Sequence, residues 1–134
     1  MNGVAAVVQI LMADAALTAV VPESRIVGGV LEQGTALPAI TVTAVSGVPL
    51  EVITKGANRF VTDRVQVTVH SADQAERHAI VKLIANAGDH ARPVVTGIQN
   101  VVCIAAGTGP DLVLAEAAIY QKSQDFKVSY TEPT

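Results

Sequence analysis

Tryptophan is absent from this chain, and aromatic residues make up only 3% of its 134 positions. A core without large rings has to be built from Val, Ile, Leu and Ala, each of which buries less surface than Phe or Trp. Burial within one copy is therefore modest, and association with further copies becomes a second source of stability. Cysteine is reduced to Cys103, set in the apolar run Val101, Val102, Cys103, Ile104, which excludes a disulfide framework and points to a buried small hydrophobe in a reducing compartment. Concentrated positive charge is missing too. With a net charge of −3 and scattered Lys and Arg, the chain lacks the basic stripe that grips nucleic-acid phosphates.

Long apolar runs are also lacking. Gln9 and Asp14 interrupt the N-terminal stretch well short of the roughly 20 apolar residues that span a bilayer. Ala13, Asp14 and Ala15 imitate a signal-peptide cleavage site, but no Lys or Arg precedes Arg25, so the basic segment of a secretory signal is missing. A soluble protein without a membrane segment is the expectation. The length fits one domain over residues 1–134.

Catalytic and metal-binding patterns fail one at a time. His70, His78 and His90 are not at the spacing of local metal ligands, and one cysteine cannot complete a zinc set. Gly107, Thr108 and Gly109 look like part of a phosphate loop but continue as Pro110 and Asp111, with neither a Lys nor a helix start, and so read as a turn. None of Ser24, Ser46, Ser71, Ser123 and Ser129 sits in a nucleophile elbow. Asp63 and Asp125 are acids of the type an acid–base pair needs, yet nothing in the sequence places them on facing walls. No cofactor, no metal and no enzymatic activity are expected.

What is present is periodicity. Val4, Val7, Val8 and Leu11 recur at helical spacing, with Asn2 as a candidate cap; Asp14 then opens a short second helix that Pro22 ends, giving helical structure over about residues 2–21. Arg25 to Val27 reads as a short extended piece before a connection punctuated by Gly28, Gly29, Gly34 and Pro38. Alternation predicts strands over about 39–46 and 60–70, the latter turning Val65, Val67 and Val69 one way and Arg64, Gln66, Thr68 and His70 the other. Ser71 and Gln74 form a capping-box pattern ahead of a helix over about 72–87, with a stripe of Ala72, Ala75, Ala79, Leu83 and Ala87, Ile80 and Ile84 beside it, and Asp73 paired with Arg77 on a solvated face. Further strands are expected over about 98–106, buried on both faces, and over 112–120 and 125–130. The order implies an α+β fold: an antiparallel-rich sheet of about four to five strands with helices packed on one face.

Between the first two strands lies an arm, residues 47–58, whose Val48, Leu50, Val52 and Ile53 exceed the apolar content a solvent loop requires. It either folds back on its own core or docks on a partner. Asp63 breaks the adjoining strand pattern and marks a bulge, a guarded edge or an ionic contact with a neighbouring subunit. With Lys55, these residues are the candidate subunit or partner interface.

The succession of blocks resembles the tail terminator, or tail completion, family of long-tailed phages and gene transfer particles. Its carriers are the N-terminal helix and Asp14-led helix before Arg25 and Ile26, then Leu37, Pro38, Ala39 and Ile40, then Arg64 to Val67, and the closing Gln124, Asp125, Phe126, Lys127, Val128, Ser129 and Tyr130. The resemblance implies a structural virion protein assembled in the host bacterial cytoplasm and placed at the head-proximal end of the tail. There it would form a homo-oligomeric ring, usually a hexamer, that caps the tail tube, ends its polymerisation and meets the head connector or stopper protein, while DNA passes through the lumen without specific binding. Two other readings remain: a head-to-tail connector adaptor or stopper, and a small ligand-binding or enzymatic α/β domain using the region of Asp63, His70 or Asp125.

Overall fold

The computed structural model describes residues 2–32, 34–50, 55–114 and 119–134. Its elements are α1 (Asn2–Ala13), α2 (Ala15–Thr18), a 3₁₀ turn (Glu23–Arg25), β1 (Ile26–Gly28), β2 (Ala39–Pro49), β3 (Asn58–Ser71), α3 (Gln74–Gly88), β4 (Gln99–Thr108), β5 (Leu112–Leu114) and β6 (Ile119–Pro133). The six strands form one sheet in the order β1-β2-β3-β6-β4, with β5 on β6. Only β1 and β2 are parallel; the other pairs are antiparallel. The fold is thus α+β, as the alternating patterns imply.

The long ladder between β3 and β6 forms its centre, pairing Asn58 with Pro133 at one end and Ser71 with Tyr120 at the other. Its period of two sorts the residues: Val61, Asp63, Val65, Val67 and Val69 are buried, while Thr62, Arg64, Gln66, Thr68 and His70 are only partly covered. Helices α1 and α3 lie against the first set. Phe126 is the largest fully buried side chain and sits under the end of α3, where a Cβ on Gly88 would come within 2.5 Å of its ring. Apart from Phe126, Tyr130 and Cys103 the buried core is aliphatic: Leu11, Leu17, Ile40, Ile80 and Ile84 are fully enclosed.

Several local expectations shift. α1 buries Gly3, Ala6, Val7 and Leu11 and leaves Val4 and Val8 partly covered. Asp14 does cap α2, accepting from the Leu17 N–H at 3.1 Å. For α3 the cap is Asp73, accepting from the Ala75 N–H at 3.0 Å, whereas the Ser71 hydroxyl donates to Glu76 Oε1 at 2.8 Å. The buried stripe of α3 is Arg77, Ile80, Val81, Ile84 and Gly88. Its longest aliphatic residues set which side turns inward, so Ala75 and Ala79 face solvent. β4 buries Val101 and Cys103 but leaves Ile104 46% exposed, because among the described residues no layer covers the second face of the sheet. The single strand expected over 112–120 is instead β5 and the first residues of β6, joined as a ladder that pairs Leu112 with Gln121 and Leu114 with Ile119. β6 then runs far beyond the expected 125–130.

Candidate functional site

Two places on the sheet gather the polar and exposed apolar residues that the sequence singles out. One lies beneath α1, and the other is the uncovered face with the hairpin end beside it.

Beneath α1, Asp63 is buried and its Oδ2 accepts from the Gly3 N–H at 3.0 Å and from the Tyr130 hydroxyl at 2.8 Å. The N-terminus of a helix carries partial positive charge and free N–H groups, so a carboxylate there satisfies a donor and meets a favourable field. Two glycines make room for it. A Cβ on Gly3 would stand 2.6 Å from Asp63 Oδ2, and one on Gly47 would stand 2.6 Å from Oδ1. Burial, with the hydrogen bond to Asp63, pushes the Tyr130 hydroxyl well above the usual phenol range. Asn2 adds a second tie, donating from Nδ2 to Glu132 Oε2 at 2.9 Å. Asp63 is thus bonded within its own chain and faces the core. The bulge in this ladder lies on β2, between Ala44 and Ser46, and Asp63 itself stays in register with Gly47 and Val128.

On the uncovered face, side chains from adjacent strands pair with one another. Arg64 reaches Asp125 Oδ2 through Nε at 3.2 Å and through its terminal NH2 at 2.8 Å. Thr62 meets Ser129 at 3.1 Å, and Gln66 Nε2 donates to Ser123 Oγ at 3.4 Å. His70 has both ring nitrogens engaged: Nδ1 accepts from the Gln121 amide and Nε2 faces the Thr41 hydroxyl, each at 3.1 Å. Burial lowers the pKa of His70, favouring the neutral ring that this arrangement uses. Asp63 and Asp125 stand on opposite faces of the sheet and are not brought together as an acid–base pair. His78 and His90 are exposed. Among the described residues, no group of three His, Cys, Asp or Glu side chains is placed to hold a metal ion. The Cys103 thiol is buried and pushed up to about 12, away from thiolate chemistry at neutral pH.

The hairpin end is the apolar part. β2 and β3 pair through Val48 with Thr62 and Pro49 with Val61, and the Leu50 N–H donates to the Phe60 carbonyl at 2.8 Å. The base of the arm is therefore ladder. Val48, Leu50 and Phe60 are 64%, 61% and 43% exposed. By the register, all three stand on the uncovered face. Lys55 is exposed, and Val52 and Ile53 lie outside the described residues.

Gly3, Gly47 and Tyr130 escape sequence reasoning about Asp63, although the pattern held a signal. Asp63 shares the parity of Val65, Val67 and Val69 and had to face the covered side, and a glycine inside a strand often marks a close approach. Arg77 is the other surprise. Only 3% of its side chain is exposed, and it lies between Asp111 at 3.4 Å and the Tyr120 ring at 5.6 Å. Asp111 also accepts from Lys122 Nζ at 3.0 Å, which lowers its pKa.

Among the described residues, no helix is long and apolar enough to cross a membrane. In fold the chain is similar to a component of the virion of a native gene transfer agent particle, with a TM-score of 0.67 over 95% of this chain and 92% of that one, at 19% identity. No curated relative matches it. The family model of tail completion protein gp17 matches residues 5–131, from within α1 almost to the end of β6. The chain accordingly belongs to the tail completion protein gp17 family, and is a structural component of a phage-type virion.

Proposed function

We propose that the protein forms a ring, hexameric as the family resemblance implies, that caps the head-proximal end of the tail tube. The ring ends tube polymerisation and offers a surface to the head connector or stopper protein. The observation that carries this reading is the exposed apolar hairpin end, Val48, Leu50 and Phe60, rising from a sheet that keeps its polar groups paired with one another. Exposed apolar side chains gathered on one face favour docking over chemistry. Lys55, and with it Val52 and Ile53, belongs to the same arm and joins the proposed contact with the tube or connector. Asp63 acts on that contact from behind, by seating Gly47 at the base of the arm.

DNA would pass through the lumen of such a ring. Beside short hydroxyl and amide side chains and the internally paired Arg64 and Asp125, the uncovered face carries the exposed cation Lys127, and so sparse a positive charge supports passage of DNA without specific binding. Deleting the gene tests the whole reading. Filled heads with overlong or unjoined tails are expected by electron microscopy, and normal particles would overturn it. Shortening residues 47–58 should leave the circular dichroism spectrum and melting of the isolated protein intact while reducing particle yield; an unfolded chain would instead make the arm part of the core.

A further inference from the structure

The two margins of the sheet are largely closed, each in its own way. On the β2 margin, β1 covers Ile40 to Val42, the bulge between Ala44 and Ser46 disturbs the edge, and Pro49 removes a donor beyond it. On the opposite margin of β6, the middle of β4 is occupied: the Cys103 N–H donates to the Ala91 carbonyl at 2.9 Å, and the Ala105 N–H to Asp89 Oδ1 at 3.0 Å. Bulges and capped donors of this kind block edge-to-edge pairing.

Among the described residues, one short stretch stays open on each side. Beside β2 it begins where β1 ends, as Gly29 turns the chain away with φ +99°. That leaves an apolar groove of about 510 Å³ walled by Val4 and Ala5 of α1, with Val42, Thr43 and Ala44 as its floor. On the other margin it is β5, Leu112–Leu114, where Leu112 and Val113 are 52% and 54% exposed.

We infer that the groove receives β5 of a second copy of this chain, adding it as a short antiparallel strand beside Thr43 and Ala44. Neither stretch contains a charged residue. The Val42 carbonyl accepts from the Gly29 N–H at 2.9 Å, so the free edge before the bulge is Thr43 and Ala44, a stretch about as short as β5 with its three residues. Their faces agree as well. Val113 pairs with Tyr120 and Tyr120 with Ser71, which places it on the side of the sheet covered by helices, and the groove opens on that side against α1. The directions are consistent too: the pairings make β5 run opposite to β2, so copies related by rotation about an axis along the strands meet in antiparallel register. The other exposed apolar strand residues do not fit: Val45 and Val48 share the groove's own margin, so that meeting their counterparts would give a two-fold dimer; Phe60 is on the inner strand β3; and Ile104 of β4 faces the uncovered side, away from the side on which the groove opens. Groove and β5 lie on opposite margins, and such a heterologous contact generates a ring. The inference deepens the proposed capping role and rests on it only for ring closure.

Disulfide trapping tests the pairing. Because Cys103 is buried, thiols introduced by Ala44→Cys and Val113→Cys are the reactive ones. Mixing the two single variants, one carrying a mass tag, should give cross-linked heterodimers under mild oxidation. The double variant should give a ladder on a non-reducing gel that ends at the closed ring. Homodimers from either single variant, or no heterodimer at any protein concentration, overturn the pairing. As a second readout, Val113→Asp should lower the mass found by light scattering to that of one chain while the melting curve stays cooperative; an unchanged mass overturns it. Failure of the pairing is separable from failure of the capping role. A Val113→Asp virus with normal tails removes this contact alone, whereas normal particles from the gene deletion remove the role itself.

Discussion

Asp63 and Asp125 stand on the two central strands of one sheet, and their fates differ because helices cover only one of its faces. Asp63 points under α1, is 7% exposed, and is held by two uncharged donors, the Gly3 N–H and the Tyr130 hydroxyl. Asp125 points to the uncovered side, where its side chain is 15% exposed, and meets Arg64, whose side chain is 39% exposed. One carboxylate locks a helix onto the sheet; the other trades a hydrogen bond with water for one with a neighbour. Covering, more than residue type, decides what an acid does here.

The contrast between faces is widest for an apolar residue. Phe126→Ala would remove the largest buried side chain and leave a hole under α3 that a chain so poor in aromatics has little means of refilling. A loss of about 3–5 kcal/mol is expected from a truncation of this kind, measured by urea denaturation. A smaller loss would mean that α3 settles onto the aliphatic residues around it.

Next in size comes Asp63→Ala. It strands two buried donors at once, each costing about 1–3 kcal/mol without an acceptor, so about 3 kcal/mol is the expected loss. Tyr130→Phe removes one of these donors and should cost less, and the two changes should be far from additive because they share one hydrogen bond. Additive effects in a double-mutant cycle would mean that Asp63 and Tyr130 are not coupled. On the uncovered face, Asp125→Ala should cost about 0.5 kcal/mol, as is usual for an ion pair whose arginine stays in contact with water. The loss is held down further because Asp125 Oδ1 is buried without a partner. A loss as large as that of Asp63→Ala would break the comparison.

How far the sequence discloses this arrangement depends on what each residue answers to. Val65, Val67 and Val69 alternate with polar residues because β3 is covered on one side, so the central strand and its facing are readable without coordinates. The Asp14 cap is readable for the same reason: it is local. The Ser71 pattern misleads because Asp73, two residues on, competes for the same helix start and wins it. The α3 stripe misleads because four of its five regularly spaced positions are alanines, while Ile80, Val81 and Ile84 set the packing. Nothing local marks Arg77 for burial, since Asp111 and Tyr120 arrive from distant parts of the chain. The groove by Val42 is equally silent, because it depends on where β1 stops and on which side α1 lies.

The smallest effect belongs to His70, the one histidine engaged by its neighbours on the uncovered face. Its neutral ring accepts from Gln121 through Nδ1, and a proton on that nitrogen would remove the acceptor. Burial lowers its folded pKa from the ordinary 6.5, so the unfolded chain takes up the proton first. The sign follows from linkage: where the unfolded state binds more protons, stability falls as pH falls. The contribution of His70 is therefore fully present above pH 6.5 and is lost as pH drops through that value toward the lowered folded one. In His70→Gln the amide keeps a donor and an acceptor but does not titrate. Its unfolding free energy should follow a flatter line than the wild type between about pH 5 and 7, where an unperturbed or modestly lowered histidine gains its charge. Parallel lines for the two proteins would show that His70 is as free to ionise folded as unfolded, and that the uncovered face is open to water even at its paired histidine.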